Sequence, residues 1–203
     1  GRLAAGFAHE LRNPLGIIRA FTEDLRHTLR QPEPGDEAFD ACDEIIEEVD
    51  RLNRLVEQFL SYSRGGRLDQ PAGECAALDA VESVLSIVRP LAEKRGLRLV
   101  VEHGAPREEA ATWRVALALP SLRQILMNLL LNAVEVSPQG GTVRVRLEAA
   151  GRRVRLMVLD EGPGIGPAEK SRVFEPFYTT RESGAGLGLA ISRQIATTAG
   201  GSL

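Results

Sequence analysis

Aromatic side chains are scarce in this sequence, 4% of 203 residues, although 43% are hydrophobic. Such a chain builds its cores from aliphatic side chains, and its length suits one large domain or two small ones of helical or α/β type. Cysteine is limited to Cys42, in a helical context, and Cys75, near a linker. Their spacing is not metal-like, so both read as free thiols in a reducing compartment. Neither sign of charge dominates: a net charge of -3 and a pI near 5.7 remove the electrostatic case for nucleic acid or an anionic membrane as partner. No apolar run approaches the roughly 18 residues of a membrane span, and no signal-peptide core opens the chain, so the stretch reads as soluble and cytoplasmic. Internal repeats are lacking, and low complexity is confined to short linkers. Both ends read as interruptions. Gly1 opens inside a heptad pattern, leaving room for a sensor or membrane segment upstream. Gly200-Gly201-Ser202-Leu203 stops where a glycine turn should lead into another strand, whose loss would leave a sheet edge unpaired.

What is present begins with periodicity. Phe7, Leu11, Pro14, Ile18, Phe21 and Leu25 recur in alternating steps of four and three, a seam of period about 3.5. His9 lies off that seam, at a solvent-facing position, with Glu10 beside it and Asn13 one turn further on the same face. Pro14 removes the amide that would bond the carbonyl of Glu10, so it is expected to bend or loosen the helix there.

One helix is expected over residues 1–30, stopped by the breaker-rich run Gln31 to Asp36, and a second over 37–64. The second seam runs Ala38, Cys42, Ile45, Val49, Leu52, Val56 and Phe59, widened by Ile46, Leu55 and Leu60, as Leu15 and Leu29 widen the first. Stripes broader than a strict coiled-coil seam suit a four-helix bundle, so a homodimer of helical hairpins is expected. The acidic run Asp43, Glu44, Glu47, Glu48 and Asp50 is a solvated face or the border of a partner surface.

The polar, glycine-containing stretch 65–71 reads as a linker, giving a hairpin over 1–64 and a second domain over 72–203, cut short at its C-terminus. That second domain reads as helix (Leu78 to Lys94), strand (Leu97 to Glu102), a weaker strand (Trp113 to Leu119), an apolar helix (Pro120 to Val136) and two strands (Thr142 to Glu148, Val154 to Leu159) joined at Gly151. The order is not a regular βαβ alternation. It argues helices laid over one mixed sheet, an α/β sandwich of α+β type.

Three stretches of this domain are poorly explained by packing. Asn128 and Asn132 put two amides on one face of an otherwise aliphatic helix, where they form a buried ladder or hold a hydrated Mg²⁺ and the polar parts of a ligand. Asp160-Glu161-Gly162-Pro163-Gly164 follows an apolar strand and suits recognition of a flat ring bearing an amino group. Gly184, Gly186, Leu187 and Gly188 open a helix running to about Ala199, whose bared amides make a phosphate seat. Between them, Phe174-Glu175-Pro176-Phe177-Tyr178-Thr179-Thr180-Arg181 places aromatic anchors in a long loop.

In this order the stretches resemble the boxes of bacterial sensor histidine kinases: the H box around His9, the N box at Asn128 to Asn132, the G1 box at Asp160 to Gly164, the F box at Phe174 to Phe177 and the G2 box at Gly184 to Gly188. Each box alone is a weak motif, and five in order are specific. The pairing of His-Glu-Leu-Arg-Asn-Pro-Leu with Phe-Glu-Pro-Phe-Tyr-Thr-Thr most resembles nitrogen-regulation and C4-dicarboxylate sensor kinases. The resemblance implies a multidomain protein, its dimerising hairpin followed by an ATP-binding sandwich of the gyrase, Hsp90 and histidine-kinase type. It implies that His9 accepts the ATP γ-phosphate, that Glu10 takes the imidazole proton, and that Asn13 orients water when the protein acts as a phosphatase. It further implies that Asn132 and Asn128 hold Mg²⁺, that Asp160 accepts from adenine, and that Gly162 and Gly164 line the base pocket. Gly184, Gly186, Leu187 and Gly188 would close on the phosphates, with Arg181 a phosphate contact. The phosphoryl group would pass to an aspartate of a response-regulator receiver domain. Two departures stand out: Glu135 replaces a basic phosphate contact common in the family, and Ala118 to Ser121 lacks a common acidic residue.

Two rival classes share parts of this pattern. An ATP hydrolase of the gyrase and chaperone type carries a glutamate where this chain has Asn128, and an amide cannot act as a general base. An inactive dimerisation scaffold would not need His9, Asn132 and Asp160 together. His27 and His103 lack such company and read as structural. A helix loosened at Pro14 would bend between the states that offer His9 to the ATP domain and to the receiver domain, so Pro14→Ala is expected to shift the balance of kinase to phosphatase activity.

Overall fold

The computed structural model describes residues 2–29, 37–63, 73–180 and 186–203, with the side chains of residues 2–10 and several of the second helix outside that description. It groups into two compact units, Gly1–Ser63 with Pro176–Leu187, and Arg64–Glu175 with Gly188–Leu203. The expected linker 65–71 lies outside the described residues.

In the first unit α1 (Arg2–Thr28) packs against α2 (Glu37–Ser63). The inner face of α1 follows the expected seam: Pro14 and Thr28 are buried, and Leu11, Ile18, Phe21 and Leu25 half-buried. Helix α1 runs without interruption through Pro14, which is fully buried. On α2 the expected seam drifts. Ala38 and Ala41 are buried and Ile45 and Leu52 half-buried, whereas Val49 is 42% and Val56 38% exposed. The apolar stripe of α2 is wider than one helix contact, and α1 takes only the edge where two alanines permit close approach. Left outward are Leu15, Leu29, Phe39 and Ile46, each more than half exposed. No described helix is long and apolar enough to cross a membrane.

The second unit contains β1 (Cys75–Ala76), α3 (Ala77–Lys94), β2 (Arg98–His103), α4 (Arg107–Ala110), β3 (Arg114–Val115), α5 (Leu119–Val136), β4 (Thr142–Ala150), β5 (Arg153–Leu159), α6 (Pro167–Lys170) and α7 (Gly188–Thr198). Its sheet is mixed, in the order β2-β4-β5, with β2 parallel and β5 antiparallel to β4. A two-residue turn, Gly151-Arg152, joins β4 to β5, and β1 pairs β3 in a separate two-stranded ladder. The alternation of β4 sorts its two faces: Val143, Val145 and Leu147 are fully buried, while Arg144 and Arg146 face outward and bracket Glu102 of β2.

Helices α3 and α5 cover the inner face. Val81, Val84 and Val88 of α3 meet Leu122, Leu126 and Leu130 of α5 in one aliphatic cluster with the β4 valines. Each fully buried Leu or Val contributes roughly 1.5–3 kcal/mol, so a core without aromatic bulk still holds the helices firmly. The end of α3 also fixes the end of α5: the Arg95 guanidinium donates to the Glu135 carbonyl (3.3 Å) and the Val134 carbonyl (3.5 Å), groups that a helix C-terminus leaves without partners.

Candidate functional site

The site is organised by α5, and its face is set by helical arithmetic. Leu122, Leu126 and Leu130 are buried in the core, while Asn128, Asn132 and Val136 lie four apart on the opposite side and are half-buried. Eight residues at 1.5 Å each put about 12 Å between the first and last of these.

At the Val136 end stands the turn after β5. Asp160 is exposed, and its Oδ1 accepts the Gly162 amide at 2.9 Å, a local turn that holds the carboxylate in place. Gly162 is required here by close approach: a Cβ would lie 2.7 Å from Val136 Cγ2 and 2.8 Å from Asp160 Oδ1. Gly164 follows in the same turn, and Ile165 beyond it is 49% exposed. Glu161 points back to the start of β4, its Oε2 accepting the Thr142 amide at 3.3 Å.

At the Asn128 end stands the first turn of α7. Asn128 Nδ2 donates to the Gly188 carbonyl at 3.0 Å and to the Ser192 hydroxyl at 3.1 Å. Gly188 differs from Gly162, because a Cβ there would come no nearer than 3.5 Å to Asn128, an ordinary contact. No acidic residue occupies the first turn of α7, so no carboxylate within that turn offsets the positive end of its dipole. The loop leading to α7 is anchored at its start, where Arg193 sits 5.0 Å over the Phe174 ring and donates to the Phe174 carbonyl at 3.2 Å.

The segment Pro176–Leu187 belongs to the first unit. Within it Phe177 donates its amide to the Gly186 carbonyl at 2.9 Å, and Phe177 itself has φ 65. Gly186 has φ 63, and a Cβ there would lie 2.7 Å from the Tyr178 amide nitrogen, so only glycine closes this pinch. Leu187 is fully buried. Arg181 and Gly184 lie outside the described residues, as do the side chains of His9 and Glu10, whose backbones are in α1. Asn13 is exposed on α1.

Five of the residues expected to bind nucleotide, Asn128, Asn132, Asp160, Gly162 and Gly188, thus share one side of α5 and its two ends. Sequence reasoning did not single out Val136, Ser192, Arg193 or Arg95. Only the reversed polarity of Ser192 in an apolar helix pattern signalled any of them. A divalent cation fits this site in one way. Among the described residues no cluster of three or more His, Cys, Asp or Glu side chains forms a metal cage, so the cation would be held by amide oxygen and by the phosphates of a bound nucleotide, ordinary company for Mg²⁺.

Residues 118–203 match the family described as histidine kinase-, DNA gyrase B- and HSP90-like ATPase, and residues 1–67 match the His Kinase A (phospho-acceptor) domain. Over its whole length the chain is 32% identical to the C4-dicarboxylate transport sensor protein DctB of Rhizobium meliloti (strain 1021), covering 32% of that protein. It is 33% identical to the sensor histidine kinase ZraS of Escherichia coli (strain K12), covering 42% of it. It therefore spans about a third to two-fifths of these curated relatives. Among solved structures it resembles histidine kinase ThkA in complex with response regulator protein TrrA, at 27% identity and TM-score 0.77, over 99% of this chain and 55% of that one. Full-length ShkA in complex with AMPPNP is similar at 27% identity and TM-score 0.66, over 97% of this chain and 40% of that one. The chain belongs to the histidine kinase family, with a match to its phospho-acceptor domain followed by a match to its ATPase-like domain.

Proposed function

We propose that this core takes the γ-phosphoryl group of ATP onto His9 and passes it to an aspartate of a response-regulator receiver domain. The observation that carries the reading is the α5 side of the second unit. It joins an amino-accepting carboxylate at Asp160 to an anion-accepting helix end at Gly188, in a chain that also bears a phospho-acceptor domain. In the transfer a ring nitrogen of His9 bonds to the γ-phosphorus as the bond to the β,γ-bridging oxygen breaks and ADP leaves. Glu10 takes the proton from the other ring nitrogen, which keeps the attacking nitrogen electron-rich. Asp160 orients the adenine amino group, Gly162 leaves room for the base, and α7 meets the phosphates. Asn13, one turn beyond His9 and exposed, orients water when the same helix removes phosphate from the regulator. Bound with the nucleotide at Asn132 and Asn128, Mg²⁺ supplies charge neutralisation.

The boundary at 65–71, between a hairpin of 1–64 and a sandwich of 72–203, is part of the same proposal. So are the cytoplasmic location and the homodimer, which the outward Leu15, Leu29, Phe39 and Ile46 support. The complex of ThkA with TrrA supports the choice of a response regulator as partner.

Incubation with γ-labelled ATP tests the reading. Acid-labile, alkali-stable label on the protein, lost in His9→Gln, is the expected result. Free phosphate without protein label would instead indicate a hydrolase, and neither product an inactive scaffold. Full activity in a variant carrying both Asp160→Asn and Asn132→Ala would refute the nucleotide-site assignment.

A further inference from the structure

Ser192 belongs to none of the glycine, asparagine or histidine motifs. It is a hydroxyl with no exposed surface, one turn into α7. Its Oγ donates to the Gly188 carbonyl at 2.9 Å and accepts from Asn128 Nδ2 at 3.1 Å. Donation to the carbonyl four residues back is common for helical Ser and Thr. Thr22, Thr197 and Thr198 do the same, but at the exposed surface. Ser192 differs in being enclosed and in receiving a second side chain.

That second bond acts with the Gly188 carbonyl to decide how Asn128 is turned. The Gly188 carbonyl only accepts, so the amide nitrogen of Asn128 must face it, and a flipped amide would set oxygen against oxygen. Ser192 takes the remaining N–H of the same nitrogen, so both donors of Asn128 are spent on the first turn of α7. Oδ1 is left as the acceptor that Asn128 offers. It stands 3.7 Å from where a Gly188 Cβ would sit, so the lack of a side chain at 188 keeps that oxygen uncovered. A nitrogen turned outward would repel a cation, and an oxygen turned outward attracts one.

We infer that Ser192 is a positioning residue of the nucleotide site: it fixes the Asn128 amide with its oxygen outward and so sets the site's affinity for the divalent cation carried by ATP. The inference rests on the nucleotide reading above. It assigns Ser192 no contact with the ligand. Groups that orient a metal's ligands typically change metal affinity by about 10–100-fold when removed, and a single amide among phosphates and water belongs at the low end.

Ser192→Thr and Ser192→Val test this, because the two side chains share a shape and differ in the hydroxyl. Binding of a fluorescent ATP analogue to the whole chain is titrated against free Mg²⁺, and again in EDTA, with thermal unfolding recorded alongside. In Ser192→Val the half-saturating Mg²⁺ should rise about tenfold over Ser192→Thr, with affinity in EDTA the same for both. A packing role alone would lower the unfolding temperature and leave the Mg²⁺ midpoint in place. Should either larger side chain unfold the domain, Ser192→Ala against the wild type reads the same shift. Wild-type binding with one shared Mg²⁺ midpoint overturns the role of Ser192 alone, whereas absence of wild-type binding overturns the nucleotide reading and this inference with it.

Discussion

Replacement of Gly162 by alanine separates the two duties of the turn after β5. The added Cβ would sit 2.7 Å from Val136 Cγ2 and 2.8 Å from Asp160 Oδ1. Carbon atoms pack best at about 3.5–4.0 Å, so the first contact is short by close to an ångström. Inserting a methyl group into such a contact costs about 1–3 kcal/mol. The second contact opens the local turn and loses the 2.9 Å bond from the Gly162 amide, worth about 0.5–1.5 kcal/mol. Trp113 is the one tryptophan and packs against the core of the second unit, so its fluorescence follows denaturant unfolding of that unit. Gly162→Ala should lower its unfolding free energy by about 1–3 kcal/mol and weaken ATP binding by about tenfold, the equivalent of 1.4 kcal/mol. Adding Val136→Ala removes Cγ2 and leaves Val136 Cβ, 3.0 Å away, as the nearest carbon. Most of the stability should return in the double variant. The clash with Asp160 is untouched, so affinity should stay low. A single variant as stable as the wild type, or a double variant that recovers affinity along with stability, would refute this division.

Leu130→Ala deletes a fully buried α5 side chain from the core shared with α3 and the sheet and should cost about 2–5 kcal/mol, read from Trp113 fluorescence, while the folded fraction keeps its nucleotide affinity. Burial pushes the Cys75 thiol above its ordinary 9.0, with Asp79 adding to the shift and Arg114 opposing it. The unfolded chain therefore loses this proton first: the stabilisation is complete below about pH 9 and is lost as pH rises toward the folded value. Urea midpoints between about pH 8 and 10.5 should fall more steeply for the wild type than for Cys75→Ala, and parallel curves would refute the assignment. Ile46→Glu places a charge on the outward face of α2, where Ile46 is 58% exposed, and should shift sedimentation from dimer to monomer without loss of helix signal.

The seams of α1 and α2 were legible in the sequence because a period of 3.5 needs only local order. The phase of α2 was less so, since Val49 and Val56 belong to a stripe with two apolar edges, and only the partner helix decides which is inner. β1 has two residues, and α4 and α6 a single turn, so no periodicity distinguishes them, while the weaker strand expected over Trp113 to Leu119 shrinks to the two residues of β3. The glycine motifs were legible as sites, yet their physical reasons differ. Val136 demands Gly162, the pinch at Phe177 demands Gly186, and no protein atom demands Gly188. Ser192, Arg193 and Arg95 stayed hidden because each takes its meaning from a residue far along the chain: Asn128, Phe174 and Glu135.

Asn128, Gly162 and Gly188 look independent in the sequence, but one helix relates them. At 100° per residue, Asn128 and Asn132 stand about 160° to either side of Leu130, so a stripe of leucines held in the core turns both amides outward. The first of them meets α7, and Val136, two turns on, meets Gly162. In the proposed site the separation of ring end from phosphate end is then a fixed rise along α5 and not a property of the loops. Loops tolerate changes in length far better than a packed helix does. The Gly166 to Lys170 turn is free to vary, whereas Leu122 to Val136 must keep its register with the valines of α3 and β4, because the same register spaces the site.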